Sequence, residues 1–278
     1  MNDIVPQETD APEHGVLRTT SAGEVFVPAE SPFAVHLAKK KSHDPAVHYF
    51  MEKHRDHLYP FFDIGAHVGI FSIIAARGGP VYSFEPDASN RILLAANLAR
   101  FGLSVTVMPV AVAAQDGVIR MAPMTCGLSQ GAVPTSRPED VIELPARSLA
   151  SFAEETGVVP GFIKIDVEGG ELGVVEGMGA ALAQSIIEVE FSWRDHGKSL
   201  DRFLAVRPIE KYDWTVALTK EDGEQLDRDV SPINFMDCGL VEYTMSNRDD
   251  LDAVCALLAD LTVVRRSRKW EICITPKV

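Results

Sequence analysis

The run Asp63-Ile64-Gly65-Ala66-His67-Val68-Gly69 constrains this chain more than any other segment. Before it, Phe61-Phe62-Asp63-Ile64 reads as a short buried strand. After it, Val68 to Arg77 reads as an apolar helix closed by Gly78-Gly79. In such a strand–loop–helix unit, Gly65 lets the chain turn tightly and lets a ligand approach the backbone. Gly69 lets the helix pack close to the sheet, and free N–H groups at the helix start face the ligand.

The pattern continues as apolar runs alternating with helical stretches, which points to βαβ units and a parallel sheet. Val81-Tyr82-Ser83-Phe84 is a second strand and Ala88 to Phe101 a second helix, ended by Gly102. Val105 to Met108 begins a third strand, Phe162-Ile163-Lys164-Ile165 is a fourth, and Ile186 to Glu190 a fifth. Helices are expected over Leu149–Glu155 and Leu172–Leu182. Trp214–Leu218 and Trp270–Ile274 alternate in the manner of strands that close a sheet at its edge. After the third strand, residues 113–147 are rich in Gly, Pro, Ser and Thr, with a short hairpin expected around Val118–Met121; a stretch this irregular reads as a lid or substrate loop. Upstream, residues 1 to about 20 read as disordered. A short strand is expected at Gly23–Val27, then a helix from Pro45 to about His57 with Asp44 as its cap. The expected division is therefore an extension over 1–58 and one α/β domain over 59–278.

A formal net charge of -14, from 40 acidic and 26 basic residues, argues against a broad nucleic-acid-binding face. Arg265, Arg266, Arg268 and Lys269 read as a solvated flank. Cys126, Cys238, Cys255 and Cys273 form no CxxC pair and no zinc-ligand spacing, which suits free thiols in a reducing cytoplasm. The first residues hold no apolar run, and no window reaches the length of a membrane span. A soluble, cytoplasmic protein is the expectation, with no metal and with a homodimer left open.

Glu85 ends the second strand about 20 residues beyond Gly65, where an acid accepts hydrogen bonds from ribose hydroxyls. The spacing G-x-x-x-G lacks the middle glycine of the pyrophosphate fingerprint. Asp63 would repel a pyrophosphate but suits a ligand carrying an ammonium and a sulfonium. These two details favour S-adenosylmethionine over a nicotinamide dinucleotide. An oxidoreductase on a dinucleotide-binding fold and a non-catalytic binding module remain as the competing readings.

The glycine run, Phe84-Glu85-Pro86, and Ile163-Lys164-Ile165-Asp166-Val167-Glu168-Gly169 together resemble the FkbM-type methyltransferases. The resemblance covers about residues 60–195. It implies a class I, Rossmann-like fold: a mostly parallel seven-stranded sheet with an antiparallel last strand and helices on both faces. It also implies methylation of hydroxyl groups on sugars and natural products, with a sugar or glycosylated metabolite as acceptor. His67 stands where the family more often has Asn, and Ala150 replaces the Asp of a Leu-Asp pair, which puts the helix cap there in doubt.

The cofactor is expected against Asp63, Gly65, Ala66, His67, Gly69, Glu85 and Pro86, with Val112 and Asp116 near the adenine edge and Asp166 near the methionine end. Methyl transfer to a hydroxyl needs an aligned acceptor and a base to take its proton. Asp166, Glu168, Glu190 and His196 are the candidates, since open α/β sheets bind ligands at the carboxyl ends of their strands. Lys164 is as readily explained by a structural pairing with Glu188 or Glu190. Cys126 to Gln130 are candidates for lining the acceptor pocket.

Overall fold

A computed structural model describes residues 12, 15–39, 44–121, 142–192, 200–219, 233–235, 240–265 and 269–277. The chain opens with the antiparallel pair β1 (Gly15–Thr20) and β2 (Gly23–Pro28), then α1 (Pro32–Lys39) and α2 (Pro45–Lys53). Residues 15–20 were expected to be disordered; they pair along their whole length with the neighbouring strand. Local polarity misled there, because the partner that satisfies the backbone lies just beyond the turn. Pro45 opens α2 as expected, but Asp44 sits at φ 44 and its side chain does not cap the helix.

β3 (Phe61–Ile64), α3 (Ile70–Ala76), β4 (Val81–Phe84), α4 (Ala88–Arg100) and β5 (Thr106–Met108) follow the expected alternation. β6 (Ala111–Val112), β7 (Gly117–Met121) and β8 (Ile142–Arg147) then form a small sheet in the order β6-β8-β7; Val118–Met121, expected as a short hairpin, is a single strand that pairs with residues 142–145. Next come α5 (Leu149–Thr156), β9 (Phe162–Ile165), α6 (Glu171–Glu176), β10 (Ile186–Ser192) and α7 (Leu200–Val206). The helix expected to reach Leu182 stops at Glu176, and a separate 3-10 turn covers Ala180–Leu182. β11 (Tyr212–Thr219), β12 (Ile233–Phe235), β13 (Leu240–Met245), α8 (Arg248–Arg265) and β14 (Lys269–Pro276) complete the order.

The main sheet runs β12-β13-β11-β14-β10-β9-β3-β4-β5. β5, β4, β3, β9 and β10 are mutually parallel, and β14 is antiparallel to both β10 and β11. Seven strands thus have the expected arrangement, and β13 and β12 extend it. The two tail segments do not close an edge. β14 is inserted between β10 and β11, and β11 is covered by β13. Burial on both sides explains why alternation alone misplaced them.

Alternation along β3 and β9 sends Phe62, Ile64, Ile163 and Ile165 into the larger core, beneath α5 and α6. Phe61 and Phe162 face the other side, where Phe50 of α2 and Phe71 of α3 pack on them. The opening segment is locked onto this face: Tyr49 and Lys53 of α2 both donate to the buried carboxylate of Glu242 on β13. Asn97 of α4 brackets Phe26 of β2 through both backbone groups and also donates to the Val68 carbonyl, 2.8 Å away. The extension is therefore tied directly to the glycine loop.

Candidate active site

The loop between β3 and α3 is held by its own neighbours. Gly65 N–H and Ala66 N–H both donate to the Phe84 carbonyl, at 2.9 and 3.1 Å, and Gly69 N–H donates to Ala66 O. His67 N–H donates to Glu85 Oε2 at 2.8 Å. Four N–H groups of the loop, Gly65, Ala66, His67 and Gly69, are thus committed within the protein. These four donors are not available to a ligand phosphate.

The glycines serve close packing. Gly65 (φ 77) presses on the backbone of Asp166, and Gly69 (φ 89) on the side chain of Leu94 in α4, rather than on the sheet as expected. His67 has φ 53, in the left-handed region where Asn, Asp and His are the tolerated non-glycine residues. This explains why His can stand at a position suited to Asn.

Glu85 is 3% exposed. Its Oε1 accepts from Asp87 N–H at 2.9 Å and from the Asn90 amide at 3.3 Å, while Oε2 carries the His67 bond. Burial raises its pKa, and the hydrogen bonds from Asp87, His67 and Asn90 oppose the rise. Arg91 fixes the following turn by donating to the carbonyls of Glu85 and Pro86. Ala66 is buried in the core beside α1 and α4, and Val112 in the core beneath α5. Asp116 accepts from Ser148 N–H, Ser148 Oγ and Ser151 Oγ, at 2.8, 3.0 and 2.6 Å. It anchors the start of α5, and Ser148 Oγ caps that helix by accepting from Ser151 N–H. The cap placed in doubt by Ala150 is therefore present two residues earlier.

Asp63 and Lys164 form the buried floor. Asp63 Oδ2 accepts from Ser72 Oγ at 2.6 Å, and Ser72 Oγ lies 2.6 Å from Ser83 Oγ. The Lys164 ammonium lies 3.4 Å from Asp63 Oδ1, 3.7 Å from Asp166 Oδ2 and 3.2 Å from the Gly65 carbonyl it donates to. Burial works against its charge, yet Asp63, Asp166 and Glu188 together hold its pKa above the ordinary lysine value. Its ion-pair partners are Asp63 and Asp166, rather than the Glu188 or Glu190 considered from sequence.

Glu188, opposite Lys164 on the next strand, is hydrogen-bonded to Glu271 of β14. Burial pushes the pKa of both Glu188 and Glu271 above the usual carboxylate range, and the charge of Glu188 adds to the rise at Glu271. Sequence reasoning missed Glu271. Its signal was an acid at an alternating position of a strand too apolar to be an edge.

At the carboxyl ends of β9 and β10, carboxylate oxygens of Asp166, Glu168 and Glu190 lie within 4.8 Å of one another, all half-buried. That spacing lets one acceptor proton, or one divalent cation, be shared among them. Glu168 is held at φ 56, and the turn that carries it is fixed by Gly169 N–H donating to Glu171 at 2.7 Å. His196 and Cys126 to Gln130 lie outside the described residues.

Residues 63–213 match the sequence profile of the methyltransferase FkbM domain, more than half of the chain. The chain belongs to the FkbM methyltransferase family. The order of its seven principal strands is that of the class I, Rossmann-like methyltransferase fold. Among solved structures the FkbM chain is similar to a methyltransferase FkbM from Methylobacillus flagellatus KT. Identity is 18% over 66% of this chain and 42% of that one, with a TM-score of 0.38. It is also similar to a precorrin-6y C5,15-methyltransferase from Geobacter metallireducens GS-15, at 13% identity over 82% and 88% of the two chains and a TM-score of 0.39. A third is the T. thermophilus 16S rRNA N2 G1207 methyltransferase, solved with AdoMet and guanosine, at 12% identity over 84% and 50% and a TM-score of 0.41. The FkbM chain thus spans less than half the length of the first of these structures. No curated protein matches it. Among its described residues, no helix is long and apolar enough to cross a membrane.

Proposed function

We propose that this chain transfers the methyl group of S-adenosylmethionine to a hydroxyl of a small molecule, a sugar or a glycosylated metabolite. The observation that carries this reading is the convergence of Asp166, Glu168 and Glu190 at the carboxyl ends of β9 and β10, beside the glycine loop. The donor chemistry of the pocket fits the cofactor. Three buried or half-buried carboxylates, Asp63, Glu85 and Asp166, lie beside a loop four of whose N–H groups are already engaged. Such a site suits ribose hydroxyls and a cationic methionine end, and is ill suited to a dinucleotide diphosphate.

Bound there, S-adenosylmethionine supplies an electrophilic methyl on a positively charged sulfur. Glu85 Oε2, with one hydrogen bond from His67, retains a lone pair for a ribose hydroxyl. Asp166 faces the methionine end or the acceptor. Glu168 and Glu190 stand beside it as bases for the proton released when the acceptor oxygen is alkylated. Keeping reactants aligned supplies the larger part of such a rate enhancement, and proton removal typically contributes a factor of about 100 to 10,000. A small acceptor also agrees with the net charge of -14, which disfavours a nucleic acid.

The test combines calorimetry with S-adenosylmethionine and a methyl-transfer screen over glycosides and macrolide-like alcohols, read by mass spectrometry. Binding with transfer to oxygen is expected. Transfer only to nitrogen or carbon acceptors would remove the hydroxyl assignment, and absence of binding would remove the cofactor assignment.

A further inference from the structure

Lys164 stands where three separately built parts of the molecule meet. Its ammonium touches Asp63 at the end of β3, the carbonyl of Gly65 in the loop, and Asp166 just beyond β9. The face of Phe71, from α3, lies 5.4 Å below it. Asp63 is fully buried, so one cation beside it is needed simply to offset the cost of burying its charge. Asp166 is different. Its side chain is 29% exposed, open enough to be hydrated without any buried cation. The hydrogen bond to Gly65 O likewise offsets no charge.

Two of the three contacts therefore exceed what burial of Asp63 requires, and both bear on groups at the proposed cofactor site. The backbone joins the same two segments: Asp166 N–H donates to Ile64 O at 3.0 Å. The lysine adds a second tie, displaced toward the side-chain face. We propose that Lys164 is a positioning residue that fixes the Asp166 carboxylate and the Gly65 carbonyl relative to each other, so that the glycine loop and the acidic strand end present one rigid cofactor surface. This rests on the reading of the pocket as the S-adenosylmethionine site. An ammonium suits the task because its three donors can point at three acceptors in different directions.

Lys164→Met alone leaves Asp63 as an unpaired buried charge and risks misfolding. The comparison is therefore made in an Asp63→Asn background, where that charge is gone. S-adenosylmethionine affinity is measured by calorimetry on protein shown to be folded by its thermal transition. Adding Lys164→Met to Asp63→Asn is expected to raise the Kd at least tenfold. Adding it to Asp63→Asn/Asp166→Asn is expected to raise the Kd threefold or less, because the carboxylate that the lysine holds is no longer charged. A lowered Tm with an unchanged Kd would show a purely structural lysine and overturn the proposal. Equal losses in both backgrounds would show that it does not act through Asp166, and would overturn it as well. If the unaltered protein itself gives no heat with S-adenosylmethionine, the reading of the pocket fails first and takes the proposal with it.

Discussion

A methyl group built on Gly65 would lie 1.9 Å from the carbonyl oxygen of Asp166. The glycine loop and the acidic strand end are thus in backbone contact, with Gly65 at φ 77 as well. We expect Gly65→Ala to cost at least about 2 kcal/mol, from the left-handed conformation and the forced separation together. Gly102→Ala is the comparison, since φ there is 61 but nothing lies within 4 Å, so only the conformational part, about 1 kcal/mol, applies. Chemical denaturation of both variants checks the difference; equal losses would mean that the close approach carries no energy.

At His67 the backbone sets the rule. With φ 53, Asn and Gly should be accepted and Val refused. His67→Asn is expected to stay within about 0.5 kcal/mol of the parent, and His67→Val to lose about 1 to 2 kcal/mol. Thermal unfolding of the two variants decides it, and a Val variant as stable as Asn would refute the strain argument.

Glu85 has two duties, and its removal should show both. Glu85→Ala strips the partners from His67 N–H, Asp87 N–H and Asn90, and the proposed ribose contact with them. We expect about 2 kcal/mol less binding free energy for S-adenosylmethionine, the scale of a charged hydrogen bond, together with a lowered Tm. Titration calorimetry reads the first quantity, and unchanged affinity would end the ribose assignment.

Acid should loosen the face covered by α2. Burial, aided by the nearby Lys53 ammonium, pulls His54 down to about 4 from an ordinary 6.5. The unfolded chain therefore takes up this proton at a higher pH than the folded one. The stability it confers is complete above about pH 6.5 and drains away as pH falls toward 4. Tm measured across that window should fall more steeply for the parent than for His54→Gln. Parallel curves would show that the histidine is not linked to unfolding.

Much of this molecule was legible from the chain alone. β3, β4 and β9 lie where their apolar runs placed them, because strands buried on both faces advertise themselves without any partner being known. Asp166, Glu168 and Glu190 were traceable to one region because strand ends of a parallel sheet converge. What escaped was set by distant pairing. β1 was hidden because its polar sequence conceals a backbone satisfied by β2. The engagement of the Gly65, Ala66 and His67 N–H groups was equally hidden, because it depends on the approach of the Phe84 carbonyl and the Glu85 side chain. Glu271 escaped notice because β14 lies beside β10, a neighbour some 80 positions away in the chain that no local period reveals.

The placement of β14 has a consequence for how the protein is made. A ribosome delivers β10 and β11 well before the strand that must separate them, so the nascent chain carries an open slot with two unsatisfied edges. Such edges invite pairing with other chains. Filling the slot brings Cys273 and Ile274 into the centre of the sheet and sets Glu271 beside Glu188. Until that strand arrives the centre of the sheet stays open to other chains, and its pairing is the event that seals the core.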